Sequence, residues 1–96
     1  MFVISLTYTA PLEAIDAHLA AHRAWLEGCY AEGKFLASGP KVPRKGGIII
    51  AHGGTRDELE ALLRQDPFHK AGVATYDITE FMPALTAPAL AGFRAQ

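Results

Sequence analysis

Two polar residues stand where the amino-acid sequence otherwise repeats apolar ones. His22 falls between Leu19 and Leu26 on the stripe of a helical segment, and Asp66 follows Leu59, Leu62 and Leu63 at the spacing i, i+3, i+4, i+7, closing the first part of LLRQDPFHKAG (Leu62–Gly72). At about 100° per residue, each lands on the face that its helix would bury. A buried imidazole or carboxylate needs a partner. These two would supply one another, the aspartate orienting the ring, which is the wiring of a general acid/base pair. Each also has a plainer reading. Asp before Pro commonly bonds nearby backbone amides after a helix ends, and a histidine on an apolar face is often only a satisfied core residue.

The remaining chemistry-bearing residues carry less. His18 and His22 have the i, i+4 spacing that presents two imidazoles to one metal, with His52, His69 or Asp66 as a third ligand, but no H-E-x-x-H motif is completed and no metal site is expected. Ser38 lacks a G-x-S-x-G elbow, so its hydroxyl reads as a ligand hydrogen bond or turn chemistry rather than a nucleophile. HGGT, from His52, reads as a strand end, two flexible glycines and the helix cap Thr55. Cys29 lies two turns beyond His22, about 10 Å along the axis at ~1.5 Å per residue, and reads as core packing. Trp25, on the flank of the stripe, either walls a pocket or covers a sheet edge. Neither G-x-G-x-x-G nor a P-loop occurs, so no cofactor is expected.

The elements that must position these residues follow from periodicity. FVISLTYT (Phe2–Thr9) alternates apolar and polar residues as a strand does. Pro11 opens one long amphipathic helix from Leu12 to about Glu32, with the stripe Ile15, Leu19, Leu26, Cys29, Tyr30 and a stop at Gly33. KFLASGPKV and GGIIIAHGG form two strands joined by a hairpin rich in Pro, Lys, Arg and Gly. Three consecutive isoleucines, Ile48 to Ile50, imply a strand covered on both faces. T-x-x-E at Thr55 and Glu58 caps a second helix with Leu59, Leu62 and Leu63 inward, and Pro67 ends it. Val73 to Met82 is the last strand. The order βαββαβ, with two right-handed crossovers, predicts an α+β ferredoxin-like fold: a four-stranded antiparallel sheet with two helices on one face.

Composition bounds the rest. With 96 residues the chain is expected to be one domain, residues 1–96. Nine basic against ten acidic side chains leave a formal charge of −1, so a nucleic-acid or lipid partner is not expected. The sequence has no membrane-length apolar run and no signal-peptide pattern, and its single cysteine cannot make an internal disulfide; a cytoplasmic location is the expectation. The bare second face of the sheet calls for a homodimer.

HRAWL (His22–Leu26), EGKFLASGP (Glu32–Pro40) and DPFHKAG (Asp66–Gly72), taken in that order, resemble the YciI-like proteins. The resemblance spans His22 to about Phe81. It implies a ferredoxin-like domain dimerising as a dimeric α+β barrel, with an active site built on His22 and Asp66 and a pocket lined by Ser38, Gly39 and Pro40. Trp25 and Phe68 are added as expected ligand contacts. One departure stands out: many members carry an arginine upstream of the helix histidine, whereas no basic residue precedes Arg23 here. Lys41, Arg44 and Lys45 of the hairpin are an alternative attraction for a carboxylate, against the plainer reading of a solvated tip.

The equipment suits proton transfer or elimination on a small ring-bearing or carbonyl metabolite, as in a lyase or isomerase. The competing reading is a ligand-binding or accessory module in which His22 and Asp66 are a structural pair. An enzyme needs a solvent-connected cleft at His22, whereas a purely structural pair would be sealed.

Overall fold

The computed structural model describes residues 1–95. Strand β1 (Phe2–Tyr8) is followed by helices α1 (Leu12–Ala17) and α2 (Leu19–Ala31), strands β2 (Phe35–Pro40) and β3 (Gly46–Ala51), helices α3 (Arg56–Leu63) and α4 (Pro67–Lys70), and strand β4 (Ala74–Glu80). A 3-10 turn, Pro88–Phe93, lies in the tail. The sheet order is β2-β3-β1-β4 with every pairing antiparallel, the ferredoxin-like arrangement.

The alternation in β1 does what it predicts. Phe2, Ile4 and Leu6 are buried among Ile15, Cys29, Leu59, Leu63 and Phe68 of the helical layer. Removing Ile4 or Leu6 from water contributes roughly 1.5–3 kcal/mol each. Register carries that face across the sheet: Ile4 pairs with Ile49 on one side and Ile78 on the other, and Leu6 with Tyr76. Gly46 shows how closely β3 meets β1, since a Cβ there would sit 1.8 Å from the Leu6 carbonyl oxygen. The opposite face carries Val3 and Ser5 against Ile50 and Ile48. Both isoleucines are half-buried and lie outside the core that the helices cover, so among the described residues the expected cover on both faces is not found.

The single long helix predicted from Leu12 to about Glu32 is two helices. His18 leaves helical geometry at φ −109° and ψ 3°, and its N–H bonds to the Ile15 carbonyl at 3.0 Å. A bond to i−3 tightens the turn and re-aims the axis that follows. The stripe survives the break, although Tyr30 is exposed. At α3 the expected cap forms: Thr55 Oγ1 accepts the Glu58 N–H at 3.2 Å, after Gly53 and Gly54 turn the chain at φ 77° and 71°.

The second helix also differs from expectation, because Asp66 does not belong to it. Helix α3 ends at Leu63, and Asp66 is extended, at φ −61° and ψ 127°, as a residue before proline should be. It serves as N-cap of α4, with Pro67 in the first helical position.

Candidate active site

Helix α2 carries His22 inward from its first turn, and the cap of α4 brings Asp66 to meet it. His22 Nδ1 lies 2.7 Å from Asp66 Oδ1, with His22 9% and Asp66 0% exposed. The carboxyl group is an acceptor on every side. Oδ1 also accepts the Phe68 backbone N–H at 3.0 Å, and Oδ2 accepts the Tyr76 hydroxyl at 2.5 Å. Nδ1 therefore carries a proton towards Asp66, and the lone pair of the neutral ring resides on Nε2. Both readings of Asp66 hold together: it is the local cap after a helix and the partner of the histidine. Its burial is tolerable because three donors replace the lost water.

Phe68 fixes the ring from one face. Its plane is stacked on His22 at 3.9 Å between centroids and 7° between planes, and Tyr8 meets the phenyl group edge-on at 6.0 Å. Among the described residues His22 Nε2 has no hydrogen-bond partner. It is not sealed either, because among the described residues the indole N–H of Trp25 is the only side-chain N or O atom that is both buried and unpartnered.

His22 opens onto a cleft of about 440 Å³. Leu6, Leu26 and Ile49 give it apolar walls, and Ser38, Gly39 and Pro40 of the β2 end line it together with Phe68. Ser38 shares a 2.7 Å hydrogen bond with Tyr30, whose hydroxyl holds it as part of the wall. Trp25 does not line the cleft. Its ring stands 5.9 Å from that of His22 and 5.6 Å from Phe35, between helix and sheet, where it packs on both. His18, at the break between α1 and α2, joins no metal cluster; no group of three His, Cys, Asp or Glu suited to a metal occurs among the described residues.

Sequence reasoning missed Tyr76 and underrated Arg44. Tyr76 read only as a β-former, yet it shares the inward face of β4 with Ile78, and an inward phenol asks for an acceptor. Burial first, and then the bond to Asp66, pushes its phenol well above the usual range. Arg44, read as a hairpin tip, lines the cleft and bonds Asp16 of α1 at 2.5 Å, which raises the guanidinium further. Lys41 and Lys45 do not line it.

Burial, followed by the nearby Glu32, pushes the Cys29 thiol up from 9.0 to about 11. For Cys29 and Tyr76 the fold prefers the protonated form. Well below pH 8 both groups are protonated in both states and stability is unaffected. As pH climbs past the unfolded values of 9.0 and 10.0, the unfolded chain ionises first and stability drains away. The urea midpoint should therefore fall between about pH 8 and about pH 10.5, less steeply in Cys29→Ala. A flat midpoint would contradict this.

Fold and site together define an α+β ferredoxin-like domain with a histidine, backed by a buried carboxylate, at the edge of an apolar cleft. The chain belongs to the family of YCII-related domains, whose model matches residues 1–82. It resembles the solved 5-chloro-2-hydroxyhydroquinone dehydrochlorinase TftG from Burkholderia phenoliruptrix AC1100, a complex with 2,5-dihydroxybenzoquinone. That likeness has a TM-score of 0.71 at 25% identity and covers 84% of this chain and 93% of that one. A comparison with curated proteins finds no significant match. Among the described residues no helix is long and apolar enough to cross a membrane.

Proposed function

We propose that this chain is a small-molecule enzyme of lyase or isomerase type, in which His22 acts as general acid/base, oriented by Asp66, on a small ring compound. The observation that carries the reading is the division of labour on one ring: Nδ1 is tied to a buried carboxylate while Nε2 is left free at an apolar cleft. A base so held can take a proton from a bound ring and return it elsewhere, or remove it as an anion departs from the neighbouring carbon. The dehydrochlorination named for TftG is a reaction of that kind, and its ligand is a small oxygenated ring. Ser38, Gly39, Pro40 and Phe68 are read as the walls against which the ring rests. Residues 1–96 are read as one domain of this kind, working in the cytoplasm.

The direct test is chloride release from 5-chloro-2-hydroxyhydroquinone, with binding of 2,5-dihydroxybenzoquinone measured alongside. Turnover that vanishes in His22→Gln supports the reading. Neither turnover nor binding in the wild-type chain would end it.

A second reading, a ligand-binding or accessory module, draws on the complete burial of Asp66 and its three donors, a degree of satisfaction that a structural pair would also show. Binding of the quinone without turnover of any substituted hydroquinone would favour it.

The chain is further read as a homodimer. Ile48 and Ile50 lie on the sheet face opposite the core that the helices cover, and a second copy laid sheet to sheet would bury them, as in a dimeric α+β barrel. Light scattering should give twice the 10.3 kDa of one chain. A mass of one chain at micromolar concentration would refute the pairing.

A further inference from the structure

We infer that the cleft selects small ring compounds bearing an ionised oxygen, such as a phenolate, an enolate or a carboxylate, and that Arg44 is the residue that reads the charge. The inference rests on the reading of this cleft as the binding site and deepens it by naming the class of ligand.

The charge of the cleft differs in kind from that of the chain. Over the whole sequence acidic residues outnumber basic ones by one, yet the residues lining the cleft include two arginines, Arg23 and Arg44, and no Asp or Glu. The one carboxylate close to its histidine, Asp66, is fully buried and occupied by three donors. An anion entering the cleft meets two arginines; Asp16, the carboxylate paired with one of them, does not line the cleft. Apolar side chains, Leu6, Leu26 and Ile49 among them, accept the body of a ring but offer nothing to an ionised oxygen, so it falls to the two arginines, Arg44 while still paired with Asp16, to hold it.

Arg44 is the better placed of the two because it is held from outside the cleft. The β2–β3 hairpin is tied down by backbone bonds from Tyr8 N–H to the Lys45 carbonyl, 3.0 Å, and from Lys41 N–H to the Gly46 carbonyl, 2.9 Å. The 2.5 Å bond from Arg44 Nη2 to Asp16 then anchors the head group to α1. A guanidinium has five N–H donors in a rigid fork; Asp16 takes one of them and the Tyr8 hydroxyl lies beside another. A head group already held by these partners at the cleft loses less side-chain freedom when a ligand takes the donors that are left. Arg23, on α2 one residue after His22, makes no ion pair among the described residues and adds charge without that anchor.

The test is a pair of ligands of similar size measured by titration calorimetry on the full chain. 2,5-Dihydroxybenzoquinone, a vinylogous acid, is ionised at neutral pH, whereas hydroquinone is not. The wild-type chain should bind the ionised quinone at least about tenfold more tightly than hydroquinone, and the preference should weaken as salt rises. Arg44→Gln should bring the two affinities to within about threefold of each other, and Arg44→Lys should restore part of the gap. Arg44 is exposed, so unchanged melting of the variants checks that they fold. If Arg44→Gln keeps the full preference, or if hydroquinone binds the wild-type chain as well as the quinone does, this inference is overturned while the cleft reading stands. If neither ligand binds the wild-type chain, the cleft reading fails and takes the inference with it.

Discussion

Asp66→Ala should cost about 3–5 kcal/mol of stability, the range found when one partner of a buried charge pair is removed. The carboxyl group is fully buried, and its loss strands the Phe68 N–H, the Tyr76 hydroxyl and the His22 ring at once. It also removes the side-chain cap of α4, which alone is worth ~1 kcal/mol. For a domain of this size, each kcal/mol lowers the melting temperature by roughly 4–8 °C. A drop of more than about 12 °C is therefore expected in a circular-dichroism melt. Tyr76→Phe, which removes a single hydroxyl from the same carboxylate, should cost less, about 1–2 kcal/mol. Asp66→Ala melting within ~3 °C of wild type would mean that the three donors do not depend on the carboxylate. The consequence for function is that stability loss at Asp66 separates nothing: an enzyme with this architecture and a structural module would both show it.

The discriminating substitution is at the other end of the pair. His22→Gln should lower turnover of 5-chloro-2-hydroxyhydroquinone by about 10²–10⁴-fold, the contribution usual for a positioned acid/base, while the domain stays folded. Glutamine keeps an N–H within reach of Asp66 but has no group that exchanges a proton near neutral pH. The loss should fall on kcat, because the walls that hold the ring are untouched. Binding of 2,5-dihydroxybenzoquinone should survive within a few-fold. Turnover retained in His22→Gln would remove the imidazole from the chemistry, whatever the stability of the variant.

These two expectations also mark how the two polar residues divide. Asp66 is sealed, as a structural residue would be, and His22 is open to the cleft, as a catalytic one must be. Neither description suffices for the pair.

Much of the frame was legible in the order of residues. Alternation placed Phe2, Ile4 and Leu6 on one face of β1, T-x-x-E announced the cap at Thr55, and the βαββαβ order gave the ferredoxin-like sheet. Helical spacing put His22 on the buried stripe. These are local statements, because the direction of a side chain follows from the dihedral repeat of its own element. Asp66 was expected inward for the wrong local reason. Spacing set it in the last turn of α3, whereas Pro67 forces it into an extended cap beyond that helix. The break at His18 was hidden because the apolar stripe runs through it unbroken.

What the order of residues could not fix is which side chains meet. Asp66 and Tyr76 lie ten residues apart, and Asp66 and His22 forty-four. Their encounter depends on how α2 and α4 settle on the sheet and on the register that puts Tyr76 beside Leu6. Arg44 reaches the cleft only because β2 and β3 fold their hairpin back towards α1, and Trp25 packs between the rings of His22 and Phe35. Periodicity assigns a residue to a face, but a site is an intersection of faces from separate elements, and only the packing of those elements determines where they cross.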